Sequence, residues 1–353
     1  MNSHDWDNVF PEVPQSFHET VQRTLDTQIL NKTGRKRVMK KRFPLVLAAV
    51  IAALGVTAAA AYVVQWNGKL ADHFGANKQQ QSQLASDGAV GVVDQTVTKN
   101  GVTITAIQTL GDQSGVYVLF DVKAPEGITL SDTNLFEHTN VDINGQSVSW
   151  SGSFMNNSDK TGSPSGAAND RYYEVRLNNS EKADWKGKPI TFNFINLQAD
   201  KGKLDMYNIV EGNWKLSWTL SYLDKTQRFE INKIYDVNGH EVLVKSIDLS
   251  PLSMTLDIGG NGLKQLVDDS DLKECGGLLT CSLKLKNGTS FTEFDGSKHE
   301  NPGEILPGND NWTDTTYTRT NPFGKILKVN QVTGLTLTFP WEKANNTVTV
   351  PLP

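Results

Sequence analysis

The feature that most constrains this chain is an uncharged run, FPLVLAAVIAALGVTAAAAYVV, from Phe43 to Val64. A helix needs about 20 apolar residues to cross the hydrocarbon core of a bilayer, so the run is long enough to span. No face of it is polar, which argues against a helix buried in a soluble core. Pro44 falls in the first turn, where a missing N–H costs little. Tyr62 and Trp66 sit where amphipathic rings favour the far interface. Arg35, Lys36, Arg37, Lys40, Lys41 and Arg42 precede the run, whereas Lys69 and Asp72 beyond it cancel. The positive-inside rule therefore puts residues 1–42 in the cytoplasm, residues 43–64 in the cell membrane as a single pass, and the rest outside. A cleaved signal peptide is the competing reading, since Ala58 to Ala61 offer small residues. The long lead and the length of the run favour an uncleaved anchor.

Charge follows the same division. Residues 1–42 hold eight Lys/Arg and five Asp/Glu; the remainder holds 26 and 34. The basic excess lies against the apolar run, so it reads as topology and not as a nucleic-acid surface. Within residues 1–42, Ser16 and Glu19 have the spacing of a capping box that opens a helix over about residues 17–30. Phe17, Val21, Leu25 and, less strictly, Ile29 make one apolar stripe on it. A lone helix of this length has nowhere to bury that stripe and is marginal in water. The stripe thus predicts a partner-binding face, against the alternative of a solvated juxtamembrane arm.

Residues 65–91 are polar and turn-rich, with Asn67-Gly68, Gln79-Gln80-Gln81 and Asp87-Gly88, and predict a tether. Strands dominate beyond it. Val116, Val118, Phe120 and Val122 alternate with other residues, as do Trp214, Leu216, Trp218 and Leu220, and Leu335, Leu337 and Phe339. Asn-Gly pairs at 100–101, 144–145, 238–239 and 287–288 signal hairpins. They also expose a repeat. Asn100-Gly101 opens VTITAIQTL and VYVLFDV, and Asn238-Gly239 opens HEVLVKSIDL and MTLDI, 138 residues later. ITFNF at 190–194 pairs with LTLTF at 335–339. The chain is therefore predicted to be mainly β, with two tandem immunoglobulin-like β-sandwich units over 92–232 and 233–353.

No catalytic constellation emerges. His73, His138, His240 and His299 lack the spacing of a helical zinc site, and no glycine-rich nucleotide loop is present. Asp268-Asp269-Ser270-Asp271 and Asp310 to Asp314 lack the spacing of a calcium loop. Gly111-Asp-Gln-Ser114-Gly115 puts its serine one place too late for a nucleophile elbow and reads as a turn. Trp214 and Trp218 share one strand face and read as core, against the alternative of a carbohydrate platform formed with the other outer tryptophans. Cys275 and Cys281, in an exported region, form a possible disulfide; two free thiols are the alternative. No cofactor, metal or catalytic residue is expected.

Three stretches, VPQSFHETVQRTLDTQIL, KKRFPLVLAAVIAALGVTAAAAYVV and VTKNGVTITAIQTLGDQSGVYVLFDV, carry a family likeness. The chain resembles a Gram-positive family of single-pass proteins with extracytoplasmic domains of unknown function. Members are often encoded beside extracytoplasmic-function (ECF) sigma factors and are regarded as anti-sigma factors. The resemblance implies an ECF-type sigma factor as cytoplasmic partner and an outer region that senses the envelope; the alternative is an anchored module whose β units grip a cell-wall or envelope ligand, with no cytoplasmic partner. Zinc-binding anti-sigma domains carry a His and paired Cys near the N-terminus. Here residues 1–42 hold His4 and His18 but no cysteine, so a sigma contact would rest on Phe17, Val21, Leu25 and Ile29.

Overall fold

The computed structural model describes residues 67–155, 165–268, 279–293, 305–306, 308–339 and 346–352. The expected cytoplasmic helix and membrane span lie outside the described residues. Among those described, no helix is long and apolar enough to cross a membrane.

The described chain is mainly β, built as four antiparallel sheets. The first repeat runs β1 (Val90–Lys99), β2 (Val102–Asp112), β3 (Gly115–Lys123), β4 (Leu135–Ile143), β5 (Gln146–Ser147), β6 (Trp150–Phe154), β7 (Asp170–Asn178), β8 (Pro189–Asp200) and β9 (Met206–Thr219). The second runs β10 (Gln227–Val237), β11 (His240–Leu249), β12 (Ser253–Gly259), β13 (Thr280–Leu285), β14 (Ser290–Thr292), β15 (Asn309–Trp312), β16 (Thr316–Pro322), β17 (Val332–Thr338) and β18 (Thr347–Pro351). Sheet orders are β1-β2-β3-β7-β6 with β5-β4-β8-β9, then β10-β11-β12-β16-β15 with β14-β13-β17-β18. The two repeats are topologically identical, strand for strand.

The likeness extends to local irregularities. A bulge shifts the β1–β2 register between Val92 and Gln95, and another shifts β10–β11 between Glu230 and Lys233. Asp94 and Asn232, inside those bulges, both have positive φ, at 52° and 48°. Asp and Asn tolerate this left-handed backbone better than other side chains. Asn100, Asn144 and Asn238 also have positive φ and close two-residue hairpins, as their Asn-Gly pairs predict. Asn287 does not. Its Oδ1 accepts from the Thr289 N–H and hydroxyl, and a longer loop joins β13 to β14.

Each repeat closes its two sheets over one core. In the first, Val116, Val118, Phe120 and Val122 on β3 face Phe192, Phe194 and Trp214. Phe120 meets Phe194 edge-on at 5.2 Å, and Trp218 stacks on Phe192 at 5.4 Å, so the paired tryptophans fill core space. In the second, Val244, Leu256 and Ile258 share a core with Leu283, Leu335 and Leu337. Cys281 lies buried in that core on β13, whereas Cys275 is outside the described residues.

Residues 67–89, expected as a tether, are instead folded and packed. Two helices form, α1 (Gly68–His73) and α2 (Lys78–Ser86). Asn77 caps α2 reciprocally with Gln80: each side-chain oxygen accepts the other's backbone N–H at 3.0 Å. At the other end Ala89 N–H reaches the Leu84 carbonyl and Gly88 N–H the Ala85 carbonyl, with Gly88 at φ 71°. This is a Schellman stop that needs a residue tolerant of positive φ. Leu70, Ala71, Phe74 and Leu84 are buried against Leu110, Tyr117, Leu119 and Tyr172 of the first repeat and Leu252 and Ile326 of the second. Phe74 meets Tyr117 edge-on at 5.0 Å. The Gln80 side-chain amide donates to the Ile326 carbonyl at 3.2 Å. Tertiary burial of a few large side chains has overridden a polar local composition.

Phe74→Ala removes the largest side chain of this wedge. It is expected to cost about 3–5 kcal/mol in urea denaturation, as for other buried aromatics. Limited trypsin digestion is expected to cut at Lys78 earlier than in the parent chain.

Candidate functional site

The hairpin turns that follow β2 and β11 are equivalent in the repeat, and in the folded chain they meet. Asp112 ends β2, and its counterpart 138 residues on is Ser250. Asp112 Oδ1 accepts from the backbone N–H of Ser114 at 2.8 Å and of Gly115 at 3.0 Å. Its Oδ2 accepts from the hydroxyl of Ser253 at 2.7 Å and from that of Ser250. Ser250 Oγ in turn accepts from the N–H groups of Leu252 and Ser253, both at 2.9 Å. Ser114 and Thr255 hydroxyls meet at 3.4 Å across the same seam, and Thr255 bonds Thr320 at 3.0 Å. Burial pushes the Asp112 carboxyl above its ordinary value, and the hydrogen bonds from Ser250, Ser253 and Ser114 oppose the rise.

One further ion pair ties the repeats together. Lys182, between β7 and β8, reaches Asp248 of β11 at 2.5 Å; within the second repeat, Arg228 of β10 reaches the same carboxylate at 3.1 Å. The link between repeats is also fixed: Asp224 accepts from the Gln113 N–H at 3.2 Å, and Leu223 N–H donates to the Gly88 carbonyl at 2.7 Å.

A polar cleft of about 510 Å³ opens between the repeats. Ser149, Asn178 and Ser180 line it from the first repeat, and Gly308, Asn309, Asp310, Asn311 and Arg319 from the second. Edge strand β15 supplies most of the second wall. A Cβ at Gly308 would overlap the Thr320 carbonyl, so glycine lets the chain run this close to β16. Arg319 is neutralised where it stands. Glu293 lies 3.1 Å from one terminal nitrogen, Asp310 lies 3.7 Å from Nε, and Asn321 accepts from Nε at 3.0 Å. Burial opposes the Arg319 charge, but Glu293, Tyr317 and Asp310 outweigh it and hold its pKa up. Asp310 also accepts from the Tyr317 hydroxyl at 2.9 Å, so it is committed within the fold.

A second acidic feature sits on the outer face of the first repeat. Asp121 on β3 and Asp170 on β7 each keep one buried oxygen with no hydrogen-bond donor. Asp170 uses its other oxygen to accept from Ser165 N–H at 3.1 Å. Two acceptors facing each other are satisfied when one carries a proton and donates to the other. Burial first, then the bond to Asp170 and its charge, push Asp121 up to about 7. Nearby, the Asn67 amide donates to the Tyr172 hydroxyl at 3.1 Å, and Asn67 N–H donates to Gln108 at 3.0 Å.

Phe17, Val21, Leu25, Ile29 and Cys275 lie outside the described residues. Cys281 is a core thiol whose pKa burial holds well above the ordinary value. Sequence reasoning missed Asp112, the cleft and the Asp121–Asp170 pair. The 138-residue offset carried a usable signal for the first, because it aligns turn with turn.

No protein-family model matches the chain, and no curated protein matches it. Among solved structures, that described as "the conserved domain protein from Bacillus anthracis" is similar with a TM-score of 0.47 and 14% identity. The match covers 75% of this chain and 89% of that one.

Asp112→Ala strips the acceptor from two hydroxyls and two N–H groups. It is expected to cost about 2–4 kcal/mol in urea denaturation. A double-mutant cycle with Ser250→Ala should return a coupling of about 1–3 kcal/mol. For Asp121 the folded state holds its proton more tightly than the unfolded chain. Stability is therefore greatest below the ordinary carboxylate value of 3.8, falls as pH rises toward about 7, and levels off above it. Asp121→Asn keeps a donor toward Asp170 without the charge. After allowance for partial exposure, it should be more stable than the parent at pH 8 by about 1–2 kcal/mol and similar at pH 4.

Proposed function

We propose that the chain is a membrane-anchored regulator: a cytoplasmic helix that holds an ECF-type sigma factor, one membrane span, and an outer region that senses the envelope. The observation that carries this reading is the wedge. The chain just beyond the apolar run is not free. Asn67 is pinned to Gln108 and Tyr172, and Phe74 and Leu84 are buried among residues of both repeats. A change in how the repeats pack therefore alters the chain where it would leave the membrane. Release by proteolysis of residues 65–91, followed by cleavage within the span, would require α1 and α2 to undock first.

We infer further that each repeat is an immunoglobulin-like sandwich. Strands β2-β3-β7-β6 follow the A-B-E-D order, β9-β8-β4-β5 follow G-F-C-C′, and β1 adds one strand at the edge. The second repeat follows the same assignment. Such sandwiches host many unrelated functions, so the fold supports a binding or sensing role without choosing its ligand. An anchored envelope-binding module with no cytoplasmic partner is the alternative, and the polar inter-repeat cleft favours it.

Full-length chain solubilised from native membranes is expected to co-purify a sigma factor. The Val21→Asp/Leu25→Asp variant should lose at least nine-tenths of that capture, read by quantitative mass spectrometry. Equal recovery from both, or none from either, would overturn the sigma reading and leave the envelope-binding module.

A further inference from the structure

The cleft between the repeats has a chemistry of its own. Among the described residues, its lining contains no exposed cation, because Arg319 is balanced by Glu293 and Asp310, and no free carboxylate, because Asp310 is held by Tyr317 and Arg319. What faces the opening is amide and hydroxyl: Ser149, Asn178, Ser180, Asn309 and Asn311. Among the described residues, no side-chain hydrogen bond engages these five. Asn309 and Asn311 project from the same side of β15, two residues apart, as strand alternation requires. Among the described strands β15 ends its sheet, so alternate backbone N–H and C=O groups of Asn309 to Trp312 point away from β16 with no described strand to receive them. Trp312, next to Asn311, keeps 53% of its surface exposed.

We infer that this cleft binds a neutral saccharide. An amide offers both donor and acceptor, as does each hydroxyl of a sugar ring, so the lining matches a polyol group for group. A charged ligand would find no free counter-charge among the described lining residues. An apolar one would leave several amides without partners, at a cost of about 1–3 kcal/mol each. The cleft volume falls in the range of about 300–1,000 Å³ typical of small-molecule sites. An extended peptide, which would add a strand to β15, is disfavoured because the strand is only four residues long. Because both repeats line the cleft, a bound saccharide touches both. The inference deepens the envelope-sensing reading and rests on it only for where the sugar is met; binding itself is independent of any cytoplasmic partner.

The test uses the full chain in a detergent without a sugar headgroup. Intrinsic tryptophan fluorescence and calorimetry would follow titration with neutral disaccharides, among them N,N′-diacetylchitobiose and cellobiose. Saturable binding to at least one is expected, with Kd on the order of 0.1–1 mM. The Asn309→Ala/Asn311→Ala variant should weaken it at least tenfold with an unchanged melting curve, since both residues are exposed. Asn208→Ala, an exposed change on β9, should leave Kd within twofold. No saturation with any disaccharide, full retention in the double variant, or displacement by an extended peptide but not by sugar would each overturn the inference. Each reads separately from the sigma co-purification.

Discussion

The architecture turns on one buried carboxylate. Asp112 joins the two repeats by accepting hydrogen bonds from its own turn and from the equivalent turn of the other repeat. Desolvating a carboxylate costs several kcal/mol unless its lone pairs are filled, and here four donors fill them. The pairing also explains why the repeats differ at this point. A strictly duplicated turn would bring two aspartates face to face, or two serines with no charged acceptor between them. Asp112 in one copy and Ser250 in the other convert a nearly self-complementary contact into a matched donor–acceptor pair. The burial is conditional on a single arrangement of the repeats, because a shift removes the Ser250 and Ser253 donors and leaves Oδ2 unfilled.

The wedge of α1 and α2 depends on that arrangement. Its apolar face is covered only if Leu252 and Ile326 of the second repeat stand beside Tyr117 and Tyr172 of the first. Short helices of this kind have little intrinsic stability, so their order is borrowed from the seam. The polar seam and the apolar wedge are therefore one cooperative element, and loss of either exposes the other.

Much of the β architecture was legible in sequence for a physical reason. Period-two alternation and Asn-Gly turns are local, and both are dictated by backbone geometry. The matches between Asn100 and Asn238 and between ITFNF and LTLTF correctly aligned β1–β2 with β10–β11 and β8 with β17. Residues 67–89 misled because their composition is polar and their stabilisation is tertiary. Yet Asn77 and Gln80 carried a capping-box spacing that marks a helix start. The cleft and the Asp121–Asp170 pair were not legible, because each is assembled from residues brought together only by the strand order.

The seam and the cleft act on the same pair of repeats with opposite economies. Moving the repeats apart breaks both cross-repeat bonds to Asp112, from Ser250 and Ser253, at once and leaves its Oδ2 without a donor, so the change is close to all-or-none. Reversing a two-state preference from 99:1 to 1:99 requires about 5.5 kcal/mol of differential binding. A ligand held by one site supplies about 2.7 kcal/mol at a hundredfold excess over its Kd. A saccharide that contacts both walls therefore reinforces the packed state and falls short of the energy needed to overturn it. In such a device occupancy of the cleft is the resting condition. Loss of the ligand, or a pull on the chain at Asn67, is the event that frees the wedge.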